Sequence, residues 1–378
     1  MSSRSLSAAT VRNPLREGLY RVLSSPLAAR LAYPHGVDRY AEWFSPAFSL
    51  SEVRAEVVAI RHPTADSVTL MLKPNRNWQG FRAGQYLRLT VEIDGRRRMR
   101  CYSPANAEST PDGLLELTAK AHAGGFVSKH LKQRLTVGTV VGLSQAEGAF
   151  ALPVERPENV LLISGGSGIT PVMAMLRTLV EEDHAGPITF LHYSNTAADQ
   201  IYGDELAAIA AAHANVTVLR GYATADQGGE LSGLFCREHL ASRVPAFAES
   251  ETFLCGPPGL MKAVQALWSA EGVADKLHVE HFTAAAPVVV DSGNAGGDIR
   301  FMRSERMATN SGATLLDQAE GAGLKPESGC RMGICHACTC RKVSGRVRDT
   351  RTGEISDAGE ADIQICVSVP VGTVTLDL

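Results

Sequence analysis

Four cysteines near the end of the chain limit what it can become more than any other feature. Cys330, Cys335 and Cys338 follow one another in a C-x4-C-x2-C spacing, and Cys366 lies 28 residues further on. This spacing suits four thiolates closing around a [2Fe–2S] centre. A short loop presents three thiolates to one cluster only if its backbone curls around it. Gly329 and Gly333 supply that freedom, because glycine enters positive φ without strain. Backbone N–H groups of such a loop can then point at the sulfurs and temper their charge. A structural zinc site is the competing reading, but zinc usually takes paired C-x2-C knuckles and only one is present. Cys340 is a further thiol beside the loop and reads as a small buried residue rather than a ligand. The crowding of these cysteines in a long chain with no secretory signal argues for metal binding in a reducing, cytoplasmic compartment, not for a disulfide framework.

The rest of the composition narrows the function by exclusion. The net charge of −3 provides no basic field for nucleic acid. No apolar run approaches the ~18 residues of a membrane-spanning helix. At ~100–200 residues per domain, 378 residues make a multidomain protein.

Residues 1–50 read as a leader with a basic bias, in which Leu15–Leu31 could form an amphipathic helix. Such a helix either packs on its own protein or docks on a partner or membrane surface. Residues 51–155 look all-β, with alternating segments at Val53–Ile60, Ser67–Leu72, Tyr86–Ile93, Arg98–Ser103 and Leu114–Ala121, and one helix at Phe126–Leu135. Short strands separated by turns suggest a closed barrel. Over residues 156–283 strands alternate with helices, which implies a parallel sheet covered on both faces. Residues 284–297 read as a Gly-rich linker. Residues 298–378 then form a unit long enough to fold alone, and they resemble a plant-type ferredoxin of the α+β β-grasp fold. His336 and Cys340 are unusual side chains for such a loop.

Two groups of residues carry a second resemblance. Arg100-Cys101-Tyr102-Ser103 ends a strand, and Gly124-Gly125-Phe126-Val127-Ser128 opens a helix. A flavin pyrophosphate needs a cation and a helix N-terminus, and Arg100 with the Gly124–Ser128 turn offers both. Together these motifs resemble the FAD-binding barrel of the ferredoxin–NADP reductase superfamily. The resemblance implies that Tyr102 packs against the flavin ring, that Ser103 serves its reactive nitrogen, and that the flavin is FAD rather than FMN.

Gly165-Gly166-Ser167-Gly168-Ile169-Thr170-Pro171 follows a strand and starts a helix. Glycines let a backbone approach a pyrophosphate closely. This turn resembles the G-x-G-x-T-P element of the same superfamily. Cys255-Gly256-Pro257-Pro258 resembles its second coenzyme turn, which implies that Cys255 lies near the nicotinamide. By the same resemblance Glu280 and Phe282 lie near the flavin. For a 2′-phosphate the stretch Ser194–Gln200 offers no base, which leans toward NADH; Arg220, after the next strand, is the nearest cation that could reverse this and admit NADPH.

In order, the parts resemble reductase components of bacterial multicomponent oxygenases. That implies transfer from NAD(P)H through FAD and [2Fe–2S] to a terminal oxygenase or hydroxylase. The leader, with Pro34-His35-Gly36-Val37-Asp38-Arg39-Tyr40, resembles more narrowly the reductases of membrane fatty acyl desaturases, which implies a peripheral membrane contact. Two alternatives stay open at this point. One is a redox-responsive binding protein without turnover, and the other is a flavin reductase with a structural zinc module.

Overall fold

A computed structural model describes residues 20–33, 35–43, 45–121, 125–224, 228–282, 296–329, 331, 333 and 336–378. Three sheets organise them.

The first sheet contains β1 (Val53–Arg61), β2 (Ser67–Pro74), β3 (Leu87–Ile93), β4 (Arg96–Tyr102), β5 (Leu115–Lys120) and β6 (Val140–Leu143), in the order β4-β3-β6-β1-β2-β5. Every pairing is antiparallel. Alternating residues such as Val53, Ala55, Val57, Leu87, Leu89 and Val91 fill its interior, as period-2 patterning requires. β6 escaped the sequence reading because Val140-Val141-Gly142-Leu143 is too short to show a period. The sheet curls into a barrel, but β4 and β5, its two edges, share no ladder. The isolated bridge Pro104–Leu117 and the bond from Ala105 N to Glu116 O (2.8 Å) tie the chain beyond β4 to β5. The barrel is thus stitched at one end of this seam.

The second sheet contains β7 (Val160–Gly165), β8 (Ile188–Ser194), β9 (Val216–Tyr222), β10 (Leu231–Ser232), β11 (Glu251–Cys255) and β12 (Leu277–Glu280). It is parallel throughout, in the order β10-β9-β8-β7-β11-β12. Helices Ile169–Glu181 and Gly203–Ala212 pack on one face, and Arg237–Arg243 and Pro258–Ala270 on the other. The chain runs outward from β7 to β10 and then returns to β11 on β7's other side. That reversal opens a crevice beyond the carboxyl ends of β7 and β11.

The third sheet contains β13 (Asp298–Phe301), β14 (Arg306–Thr309), β15 (Thr339–Asp349), β16 (Ala361–Gln364) and β17 (Ser368–Leu376), in the order β14-β13-β17-β15-β16. Helix Leu315–Gly321 covers it. Lys342 is fully buried here, with Nζ donating to the carbonyls of Gly345, Asp357 and Gly359. Three acceptors satisfy all three ammonium donors, which is why this charge can leave water.

The leader differs from the expected single helix. Residues 15–19 lie outside the described residues, and the chain turns at Ser24-Ser25 before a new short helix, Pro26–Leu31. Pro26 has no N–H and cannot continue a helix from the preceding turn, whereas it fits the first position of a new one. Ser25 caps that helix through Ala28 N. Polar contacts hold the leader to the barrel: Arg54 Nη1 pairs with Glu42 (2.8 Å), Asn77 Nδ2 donates to the Ser49 carbonyl (2.9 Å), and Arg76 lies 3.6 Å above the Tyr20 ring. Val22, Leu27, Leu31, Tyr33 and Trp43 remain exposed. Most of the linker expected at 284–297, and Pro34 of the leader motif, lie outside the described residues. Among the described residues no helix is long and apolar enough to cross a membrane.

Candidate functional site

The barrel seam opens into a cleft of about 630 Å³. From β4 and its continuation come Arg98, Arg100, Tyr102 and Ser103; from β5 come Thr118 and Lys120. Alternation along β4 puts Arg98, Arg100 and Tyr102 on one face. Helix Phe126–Gln133 points its start at the same space, with Gly125 at its N-cap and no side chain capping its first N–H groups. Those uncapped donors beside two arginines form an anion-binding wall. Ser128 lines the cleft one turn further on; Gly124 lies outside the described residues.

Ser103 is the sharpest test of a flavin here. It is 1% exposed, and its Oγ has no partner, so a bound group must use that hydroxyl or its burial is costly. The Arg98 Nε is likewise buried without a partner. A tricyclic ring with polar edges and a pyrophosphate would satisfy both, so the residues fit FAD. Burial pushes the Tyr102 hydroxyl upward, which keeps it neutral.

The second sheet borders this cleft through Ser167, Thr170, Glu280 and Phe282. His192, Ser164, Cys255 and Glu280 stand in register at the carboxyl ends of β8, β7, β11 and β12. Ser164 Oγ meets His192 Nδ1 at 2.8 Å. Burial and the charge of Lys120 bring His192 down to about 3, so it is neutral. Burial pushes Glu280 up to about 7. Cys255 is fully buried, and burial together with the neighbouring Glu280 raises its thiol well above the usual range. It is therefore a neutral wall, not a nucleophile.

The two coenzyme turns pack directly on each other. A Cβ on Gly168 would fall 2.2 Å from the Cys255 carbonyl oxygen, and one on Gly165 would fall 2.6 Å from Pro257 Cδ. Gly166 adopts φ +54 with open space above it. Gly165, Gly166, Gly168, Gly256 and Pro257 thus meet at the crevice, where a pyrophosphate can approach bare backbone.

At the cysteine-rich loop, Cys330 and Cys335 lie outside the described residues. Cys338 and Cys366 are both buried in one core, and the Cys338 carbonyl accepts from Ile365 N at 3.3 Å, which brings the two ligand segments side by side. Arg331 (φ +59), Gly333 (φ +72) and His336 (φ +55) all take left-handed backbone, so the loop does curl. Gly329 contributes a carbonyl instead, which Arg100 Nη1 binds at 3.0 Å. Arg351 Nη1 binds the Gly333 carbonyl at 2.7 Å. Cys340 Sγ faces the Asp377 carbonyl, 3.9 Å away, across the C-terminal strand. Two buried thiols, one at the end of the curled loop and one on the segment beside it, suit a thiolate-held cluster.

Sequence reasoning missed several lining residues. Arg98 could have been found from its two-residue offset to Arg100. Tyr86, Lys120, Ser328 and Arg331 reach the cleft only through tertiary structure.

Three families match in chain order: the oxidoreductase FAD-binding domain over residues 55–152, the oxidoreductase NAD-binding domain over 162–266, and the 2Fe-2S iron-sulfur cluster binding domain over 302–371. The last decides against zinc. An NADPH oxidoreductase of Mycobacterium tuberculosis is 37% identical over 93% of this chain and 91% of its own length. A glycine betaine monooxygenase reductase subunit of Chromohalobacter salexigens is 29% identical over 79% of this chain and 87% of its own. Phthalate dioxygenase reductase shares the fold, with a TM-score of 0.60 and 21% identity over 86% of this chain and 97% of that one. The chain belongs to the ferredoxin–NADP reductase superfamily, among the NAD(P)H-dependent oxidoreductases that carry FAD, NAD and C-terminal [2Fe–2S] domains in that order.

Proposed function

We propose that the chain is the reductase component of a two-part system and delivers electrons from NAD(P)H to a terminal oxygenase or hydroxylase. One observation carries this reading: a single cleft at the barrel seam receives Tyr102 and Ser103 from the barrel, Thr170 and Glu280 from the nucleotide unit, and Ser328 and Arg331 from the ferredoxin unit. Held in this cleft, FAD would supply the exchange between the two electrons of a hydride and the single electrons that a one-electron cluster requires.

The chain's own residues do the positioning. Arg98, Arg100 and the start of helix Phe126–Gln133 hold the flavin pyrophosphate. Tyr102 offers its ring to the flavin, and the Ser103 hydroxyl hydrogen-bonds its reactive edge. Gly165, Gly166, Gly168, Thr170, Gly256 and Pro257 hold the coenzyme backbone. Cys255 borders the nicotinamide, and Glu280 and Phe282 lie near the flavin and exclude water. Cys330, Cys335, Cys338 and Cys366 hold the cluster.

A narrower partner reading rests on the leader. Its polar side is fastened to the barrel through Glu42–Arg54 and Tyr20–Arg76, while Val22, Leu27, Leu31, Tyr33 and Trp43 stay exposed near Arg21 and Arg30. That surface suits a membrane-bound fatty acyl desaturase and a peripheral contact with its bilayer.

The test is a visible spectrum of the purified protein followed by anaerobic titration with NADH or NADPH. Flavin and iron–sulfur bands should both be present and both bleach. Flavin bands without iron–sulfur bands, or stoichiometric zinc, would defeat the reading.

A further inference from the structure

The superfamily resemblance gives Arg100 one task, the flavin pyrophosphate, but the structure shows a second contact. Arg100 Nη1 donates to the Gly329 carbonyl at 3.0 Å, across 229 residues of chain and between two domains. Gly329 is buried and immediately precedes the ligand Cys330 in sequence. Its neighbours Ser328 and Arg331 line the same cleft as Arg100. Arg331 is turned to its own domain by Glu320 and Asp317. The next loop carbonyl, Gly333, is held within its own domain by Arg351 at 2.7 Å. Among the described loop residues, Gly329 thus gives its carbonyl to another domain, and the group that takes it also lines the flavin cleft.

A guanidinium can serve both at once. It carries five N–H donors in a rigid planar fork, so one nitrogen can hold a carbonyl while another edge faces an anion. An ammonium offers charge without that fixed geometry. We propose that Arg100 is a positioning residue that couples flavin binding to the docking of the ferredoxin loop. Flavin that fixes the guanidinium also fixes the Gly329 carbonyl, and by linkage a docked loop strengthens flavin binding. The inference rests on the proposed reading of this cleft as the flavin site.

The test is amide hydrogen exchange over residues 324–329 in the full chain. In the wild type, adding FAD to flavin-stripped protein should increase protection there. R100Q should weaken FAD binding and abolish this gain. R100K keeps the charge, so it should restore much of the FAD affinity that R100Q loses, yet leave the loop as unprotected as R100Q does. In single-turnover absorbance, the ratio of cluster reduction to flavin reduction should fall about tenfold in R100K, the scale of one lost charge-assisted hydrogen bond. Equal loop protection with and without FAD in the wild type would overturn the proposal. So would an R100K protein that recovers loop protection along with FAD affinity, because charge alone would then suffice. The wild-type arm needs no variant and decides the matter if the variants misfold. Flavin bands in the wild-type spectrum keep the functional reading intact whichever way the exchange comes out.

Discussion

The barrel is joined to its two neighbours in different ways. Against the nucleotide unit it shares a core: Ala83, Phe150 and Leu152 pack among residues of the parallel sheet, with Phe150 edge-on to Phe253 at 6.0 Å. Charged clasps rim that core. Arg177 donates to Ala105 O (2.7 Å) and Glu116 (2.9 Å) in the barrel while gripping Glu205 (2.6 Å) in its own unit. Arg156 joins Glu108 (3.1 Å) to Glu182 (2.8 Å) in the same manner. Among the described residues, Arg100 meets the ferredoxin unit at the cleft through its bond to Gly329. The contrast matches the chemistry each junction serves. Hydride transfer needs donor and acceptor held in near contact, so that junction is built as an interior. Single-electron transfer tolerates a gap, and the cluster must also meet an outside partner, so that junction can be slight.

Breaking the slight side should have the largest and most local effect. Cys338→Ser and Cys366→Ser each remove a buried sulfur proposed to hold the cluster. The iron–sulfur bands should disappear while FAD and ferricyanide reduction persist, and cytochrome c reduction should collapse. Cys340→Ala should keep both cofactors, because its sulfur faces Asp377 O instead. Loss of flavin in the two ligand variants would mean that the junctions are not separable in this way.

Breaking the built side should spread. Arg177 and Glu116 are only 15% and 10% exposed, so Arg177→Ala leaves a buried carboxylate without its cation. Losing one partner of a buried pair typically costs about 3 kcal/mol. Urea unfolding should register that loss, and FAD and coenzyme affinity should fall together. A change under about 0.5 kcal/mol would show that this rim behaves like an exposed surface pair.

The same contrast explains what the sequence revealed. The cluster motif is local: three proposed ligands span nine residues, Cys330 to Cys338, and their spacing carries the signal. The parallel sheet was equally legible, since the short apolar run Val160–Ile163 is bounded by a Gly-rich turn and helix Pro258–Ala270 is a long periodic run. The flavin cleft was legible only where a motif is contiguous, as in Arg100-Cys101-Tyr102-Ser103. Lys120 enters from the far edge of the seam and Arg331 from another domain. No periodicity marks such residues, because tertiary closure alone brings them to the cleft. The leader failed for a local reason: the basic and apolar pattern suggested one helix, and Pro26 overrode it.

Glu280 sharpens the comparison from the nucleotide side through pH. Burial raises its carboxyl from the ordinary range to about 7 in the folded state. The folded protein therefore holds a proton that the unfolded chain has released. This contribution to stability is fully present below the ordinary carboxylate pKa and is lost as pH rises through about 7. Unfolding free energy should decline across that window, and Glu280→Gln should flatten the decline. The rate of flavin reduction by coenzyme should follow the same group. An unchanged pH profile in the glutamine variant would remove Glu280 from the reacting edge of the flavin cleft.

Coenzyme choice should show the smallest effect. Ser194–Gln200 has no base, and its bonds turn inward: Ser194 Oγ donates to Thr196 O (2.8 Å) and Thr196 Oγ1 to Asp199 (2.8 Å). A carboxylate there opposes a 2′-phosphate. Arg220 stands at the end of β9, but Glu230 occupies it, accepting from its backbone N (2.9 Å), Nε (3.1 Å) and Nη2 (2.7 Å). The guanidinium in turn holds Glu230 down to about 2, so the pair stays charged and closed at any working pH. Both features favour NADH, although the 37% identical Mycobacterium tuberculosis relative is named for NADPH. The wild type should show the lower KM for NADH. Glu230→Gln frees the guanidinium and should raise kcat/KM for NADPH relative to NADH by about tenfold or less, the ~1 kcal/mol of a half-exposed charge contact. Arg220→Ala should leave the wild-type ratio nearly unchanged, because the side chain it removes is already engaged. If Arg220→Ala instead weakens NADPH use selectively, Arg220 reads the 2′-phosphate despite Glu230, and the preference for NADH is wrong.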